Sequence, residues 1–125
     1  MSNQVFAEKM KSRTKQFAID ALRLCDELPV NKNSTRIISN QLGRSASSTG
    51  ANYRAACVAR SDKEFFAKLS ITIEEADESL FWCEILEEGN FYEPKEKLNK
   101  IKNEATEITK ILFSARNSIS KNKNF

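Results

Sequence analysis

The sequence predicts an all-α fold, an up-down-up-down antiparallel four-helix bundle forming a single domain over residues 1–125. Three observations carry that prediction. Apolar residues recur at three- and four-residue steps through four long segments, the spacing of one helix face. The chain has only 3 glycines and 2 prolines, and both prolines fall between those segments, so little interrupts a helix. The connecting stretches are a few residues long, which makes successive helices antiparallel neighbours. A chain of 125 residues buries roughly two-thirds of its unfolded surface, enough for a core without disulfide or metal staples.

The first helix is expected over residues 5–28, with Phe6, Met10, Phe17, Ala21, Cys25 and Leu28 on one face, Thr14 as a polar exception, and Pro29 ending it. Asn33 or Ser34 is placed to cap the second helix, residues 35–60. Its inward stripe is Ile38, Leu42, Ala46 with Ser45, Thr49, Tyr53 and Cys57. Gly43 and Gly50 each cost a helix interior roughly 1 kcal/mol relative to Ala, so a loop between them is the alternative. The stripe nevertheless keeps phase from Ile38 to Cys57, which favours an unbroken helix with both glycines serving close packing.

Ser61 and Glu64 form a capping box at the start of the third helix, residues 62–88. Phe66, Leu69, Ile73, Ala76, Leu80 and Cys83 make a heptad-like seam. Phe65, Phe81, Trp82 and Ile85 widen that apolar surface beyond one face, which points to a second contact such as another subunit. Gly89 suits a left-handed stop and Pro94 the first turn of the fourth helix, residues 94–118. Leu98, Ile101, Ala105, Ile108, Leu112, Ala115 and Ile119 give its seam, and the polar tail 119–125 is expected to fray.

Charge is unevenly spread. Net charge is +1 over residues 1–28, +5 over 29–60, −7 over 61–88 and +4 over 89–125. From Thr35 to Arg60 there is no Asp or Glu, while Arg36, Arg44, Arg54 and Arg60 are present. At about 100° per residue, Arg36, Asn40, Ser47 and Arg54 share a ~40° sector with Arg44 ~80° from Arg36, all away from the apolar stripe. Guanidinium groups, an amide and a hydroxyl on one face suit phosphate. They equally suit a subunit interface, or pairing with the acidic third helix. Asn40, Ser45, Ser48 and Asn52 are contact candidates for whichever surface applies. Lys95, Lys97, Lys100, Lys102 and Lys110 add basic surface on the fourth helix.

Catalysis finds little support. There is no His, the commonest general base and metal ligand. No Gly-rich phosphate loop, nucleophile–base pair or zinc spacing occurs. The carboxylates Glu74, Glu75, Asp77, Glu78 and Glu84 lack the His partners that bundle di-metal sites use. No cofactor, no metal and no enzymatic activity are expected. Cys25, Cys57 and Cys83 are scattered, as in a reducing cytosol. The start "MSNQVFAEKMKSR" has no secretory apolar run, and no window suits a membrane span. The expectation is a soluble cytoplasmic protein.

The run "TRIISNQLGRSASSTGANYRAA", with "RTKQFA" before it and "EFFAKLSITIEEADESLFWCEIL" after it, resembles the 23S rRNA intervening-sequence protein family. The resemblance covers residues 13–86 plus a generic fourth helix. It implies a bacterial four-helix bundle assembling as a ring-shaped homopentamer, without enzymatic activity. Some members are encoded within intervening sequences of 23S rRNA genes, and a distant basic pentameric relative serves diversity-generating retroelements. RNA or another nucleic acid, or another protein, is the implied partner. The chain departs from the family pattern at Gly43, where Leu is usual, and at Ala55, where Glu is usual; the second difference leaves the helix more basic.

Overall fold

The computed structural model describes residues 3–123 and is built from four helices: α1 (Asn3–Asp26), α2 (Asn33–Ala56), α3 (Asp62–Glu88) and α4 (Lys95–Lys123). Neighbours pack in the order α1–α2–α3–α4, as an up-and-down bundle requires. α1 and α4 close the ring over a shorter stretch, bridged by the Arg13 guanidinium, which donates to both Glu104 carboxylate oxygens at 2.6 and 2.9 Å.

The expected stripes form the core. Phe17, Ala21, Leu42, Ala46, Leu69, Ala76, Cys83, Ala105, Ile108 and Leu112 are buried. Tyr53 is buried as well, at 1% exposure, so it belongs to the core as its place on the inward stripe implies. Phe6 is exposed at the first turns of α1 and leaves the expected seam. Thr14, Thr35, Ser45, Thr49, Thr72 and Ser79 are buried polar residues, and each is satisfied. Thr14, Thr49, Thr72 and Ser79 donate to the carbonyl four residues back. Thr35 donates to the Pro29 carbonyl at 2.6 Å. Bonding of this kind removes the desolvation cost of a buried hydroxyl.

Several ends differ from expectation. α2 has Lys32 at its N-cap with no side-chain cap bond; the Asn33 carboxamide oxygen instead accepts from Arg36 at 2.7 Å. α2 stops at Ala56 rather than residue 60. At the start of α3 the Ser61 hydroxyl accepts from the Glu64 N–H at 3.0 Å, but the Glu64 carboxylate reaches back to the N–H of Arg60 at 2.9 Å. The left-handed residue after α3 is Asn90, with φ 55°, not Gly89. Asn tolerates that conformation. Gly89 instead leaves room for the Phe91 ring, which would lie 2.3 Å from a Cβ there. α4 begins at Lys95, one residue after Pro94, and runs to Lys123. Residues 124 and 125 lie outside the described residues.

α2 is unbroken through both glycines. A Cβ on Gly50 would sit 3.2 Å from the Thr14 carbonyl oxygen, so the α1 backbone occupies the space a side chain would need. A Cβ on Gly43 would meet side chains alone, the tip of Leu22 at 3.3 Å and the Cys25 Sγ at 3.9 Å. The two sites therefore predict opposite responses to Ala. Gly50→Ala forces two backbones apart and lowers stability by about 1 kcal/mol after the helix-propensity gain. Gly43→Ala keeps most of that gain and stabilises by up to about 1 kcal/mol. Urea denaturation of both variants checks this, and equal shifts would refute it.

Candidate nucleic-acid interface

The α2 stretch free of carboxylates divides into two faces once its neighbours are in place. Toward α3, the hydroxyls of Ser45 and Ser79 meet at 2.8 Å inside the core. Above them Arg44 pairs with Glu75 at 3.2 Å and with Glu78 at 2.6 Å. The Arg44 hydrogen bond holds the Glu78 carboxyl below the ordinary carboxylate range, and the Glu78 bond raises the Arg44 guanidinium. Trp82 donates its indole N–H to Glu78 from the next turn of α3 at 3.3 Å and is half-buried against the core.

Three expected contact residues are thereby committed inside the subunit. Arg44 spends its charge on its own α3. Ser45 is buried at 0% exposure, because its place on the rim of the apolar stripe faces α3. Asn52 donates to the Ser48 carbonyl and hydroxyl at 2.9 and 2.8 Å within α2.

Arg36, Asn40, Ser47 and Arg54 stay together on the outward face. Arg36 bonds only the neutral Asn33 amide, and Arg54 makes no ion pair among the described residues. The close α1–α2 approach adds cations that sequence reasoning missed. Lys11 lies near enough to Arg54 for the two charges to repel, although its stronger bond, to Glu8 at 2.8 Å, raises the ammonium. Lys15 is exposed, and its backbone lies against Gly50. Both lysines sit on the side of α1 that faces α2, one turn apart. The signal was the i, i+4 spacing around Thr14, hidden by the near-neutral charge of α1.

The α4 lysines also divide. Lys97 pairs with Glu27 at 2.8 Å and Lys102 pairs with Glu87, so these two brace the bundle. Lys95, Lys100 and Lys110 are exposed without an ion pair among the described residues. Lys100 borders a groove of about 270 Å³ between α1 and α4, where Asp20 and Glu104 offset it. The arrangement can hold a polyanion along the α1–α2 edge by charge and hydrogen bonding.

The buried cysteines are set against thiolate chemistry. Burial raises the Cys25 thiol and pushes Cys83 up to about 12, which suppresses thiolate chemistry. Among the described residues no group of three or more His, Cys, Asp or Glu could hold a metal ion, and no helix is long and apolar enough to cross a membrane.

Comparison with known proteins places this geometry among relatives. The model of a family described as "23S rRNA-intervening sequence protein" matches residues 8–114. A crystal structure from Bacteroides thetaiotaomicron VPI-5482, described as a protein with unknown function from the S23 ribosomal protein family, is similar with a TM-score of 0.79 and 34% identity. The match covers 89% of this chain and 97% of that one. A search of curated proteins gives no match.

The carboxylates predict the acid response. Hydrogen bonds from Lys97, Arg60 (backbone), Arg44 and Lys102 lower Glu27, Glu64, Glu78 and Glu87, respectively. A depressed folded-state value gives stability that is present above the ordinary carboxylate pKa of about 4.3 and lost as pH falls through the folded value. Thermal midpoints should decline between about pH 5 and pH 2, and Arg44→Ala should flatten that decline by returning Glu78 to its ordinary range. Parallel curves for the two proteins would refute the assignment.

Proposed function

The chain belongs to the 23S rRNA-intervening sequence protein family, and on that footing we propose that it is a non-catalytic homo-oligomer that binds structured RNA through its basic α1–α2 edge. Its resemblance to the family suggests a ring of five. The observation that supports the RNA reading most is the gathering of Arg54 and Lys15 around the Gly50 contact, with Arg36 about four turns away on the same α2 face and Lys11 beside them but paired with Glu8. α2 contributes no carboxylate to neutralise it. Arg forks and neutral donors such as Asn40 and Ser47 fit phosphate oxygens. Repetition around an oligomer multiplies a modest charge per subunit by avidity. Lys95 extends the basic surface on α4, whereas Lys97 and Lys102 already have carboxylate partners.

A second reading, a scaffold that binds another protein, is favoured by exposed Ile71 and Phe81 on the acidic α3. A titration against structured RNA and duplex DNA at low and physiological salt separates the two. On the RNA reading, affinity falls by roughly tenfold or more between 50 and 200 mM salt. Arg54→Glu and Lys15→Glu weaken binding, whereas Arg44→Ala leaves it largely intact because that guanidinium is already paired within the subunit. Absence of binding at low salt would refute the RNA reading and favour the scaffold.

A further inference from the structure

The outward side of α3 mixes large exposed apolar groups with acids that make no ion pair among the described residues. Ile71 is 42% exposed and Phe81 49%. Glu74 and Asp77, between them, are exposed and make no ion pair among the described residues. The neighbouring corner of the bundle carries the complement. On α4, Phe113 is 46% exposed and Lys110 is unpaired. Together with Thr109, Ser114, Asn117 and Ser118 they form an open, shallow patch along one face of α4.

We infer that this α3 face packs head-to-tail on the exposed α4 patch of a second copy of the chain. Ile71 then meets Phe113 of the second copy, and Glu74 and Asp77 meet its Lys110. The inference rests on the homo-oligomer part of the reading above and names its contact faces.

Register carries the argument. Lys102 bonds Glu87, and Arg116 donates to Ser70 at 3.2 Å. Those contacts set Phe113 level with about residue 74 of its own α3, and Lys110 level with about residue 77. Rotation about an axis parallel to the helices moves no residue along that axis. Copies related by such a rotation therefore keep these levels. The second copy's Phe113 arrives beside Ile71 and Glu74, and its Lys110 beside Glu74 and Asp77. The rotation also makes α3 antiparallel to the α4 it meets, which suits close packing of bundle helices.

Other pairings fit less well. Two α3 faces together would oppose two segments of net charge −7. The α2 glycines are already covered by α1, so they offer no socket.

Unlike faces in contact give a ring if the rotation closes. A ring of four needs ~90° between the two contact faces and a ring of five ~108°. The outward directions of adjacent helices in a four-helix bundle differ by about 90°. The α3 and α4 corners thus lie in the range for a small closed ring.

The test uses full-length chains in a Cys57→Ser background. Ile71→Cys and Phe113→Cys variants are oxidised separately and as a mixture. The contact predicts a disulfide-linked dimer in the mixture and none in either variant alone, because each face meets its unlike partner. In light scattering, Lys110→Glu should raise the concentration of half-dissociation by roughly tenfold or more. Cross-linking of Ile71→Cys with itself overturns the head-to-tail geometry. An assembled protein that shows neither the mixed cross-link nor a response to Lys110→Glu overturns this contact but leaves the oligomer reading standing. A monomeric unmodified chain removes both.

Discussion

The bundle depends on how closely α1 and α2 approach. At Gly50 the α2 backbone lies against the Thr14 carbonyl, where a Cβ would be 3.2 Å from that oxygen. Thr14 turns its own hydroxyl back to the Met10 carbonyl at 2.8 Å, so the contact leaves no buried donor unsatisfied. This single approach sets three things. It absorbs the glycines inside the subunit. It orients the Leu42, Ala46 and Tyr53 stripe into the core. It also brings Lys11 and Lys15 of α1 beside Arg54 of α2, so packing determines where the cations gather.

The α2–α3 seam works differently. A buried hydroxyl pair, Ser45 and Ser79, sits beneath an ion pair of Arg44 with two glutamates. The ion pair is exposed, so its contribution to stability is small, about 0–1 kcal/mol. Its larger effect is on charge. It removes one arginine from the outward supply and partly neutralises the third helix. Lys97 with Glu27 and Lys102 with Glu87 do the same for α4. What remains unpaired is therefore more localised than a count of basic residues suggests.

Much of the fold was legible in the sequence, because periodicity reports burial directly. Helix number, order and most seam residues followed from the spacing of Leu, Ile, Phe and Ala. Helix ends were less legible. They turn on single competing bonds, such as the Asn33 amide choosing Arg36 over the α2 backbone. The candidate surface was half legible. The Arg36, Asn40, Ser47 and Arg54 face could be found from angular spacing alone. The fates of Arg44, Ser45 and Asn52 could not, since each lies between core and solvent and its neighbour decides. Lys11 and Lys15 required knowledge of which side of α1 receives α2, and only the Gly50 contact supplies that.

The segregation of charge has a consequence beyond any one contact. Residues 61–88 carry −7, while the flanking segments 29–60 and 89–125 carry +5 and +4. Each subunit is thus an electric dipole whose negative pole is the α3 edge and whose positive pole lies across the bundle. A polyanion at a distance exerts a torque on such a body before any side chain touches it, turning α3 away and the α1–α2 edge forward. Oriented encounters of this kind are fast and weaken with ionic strength. For the proposed RNA partner, the separation of acids from arginines along the chain would aim the encounter as well as strengthen it.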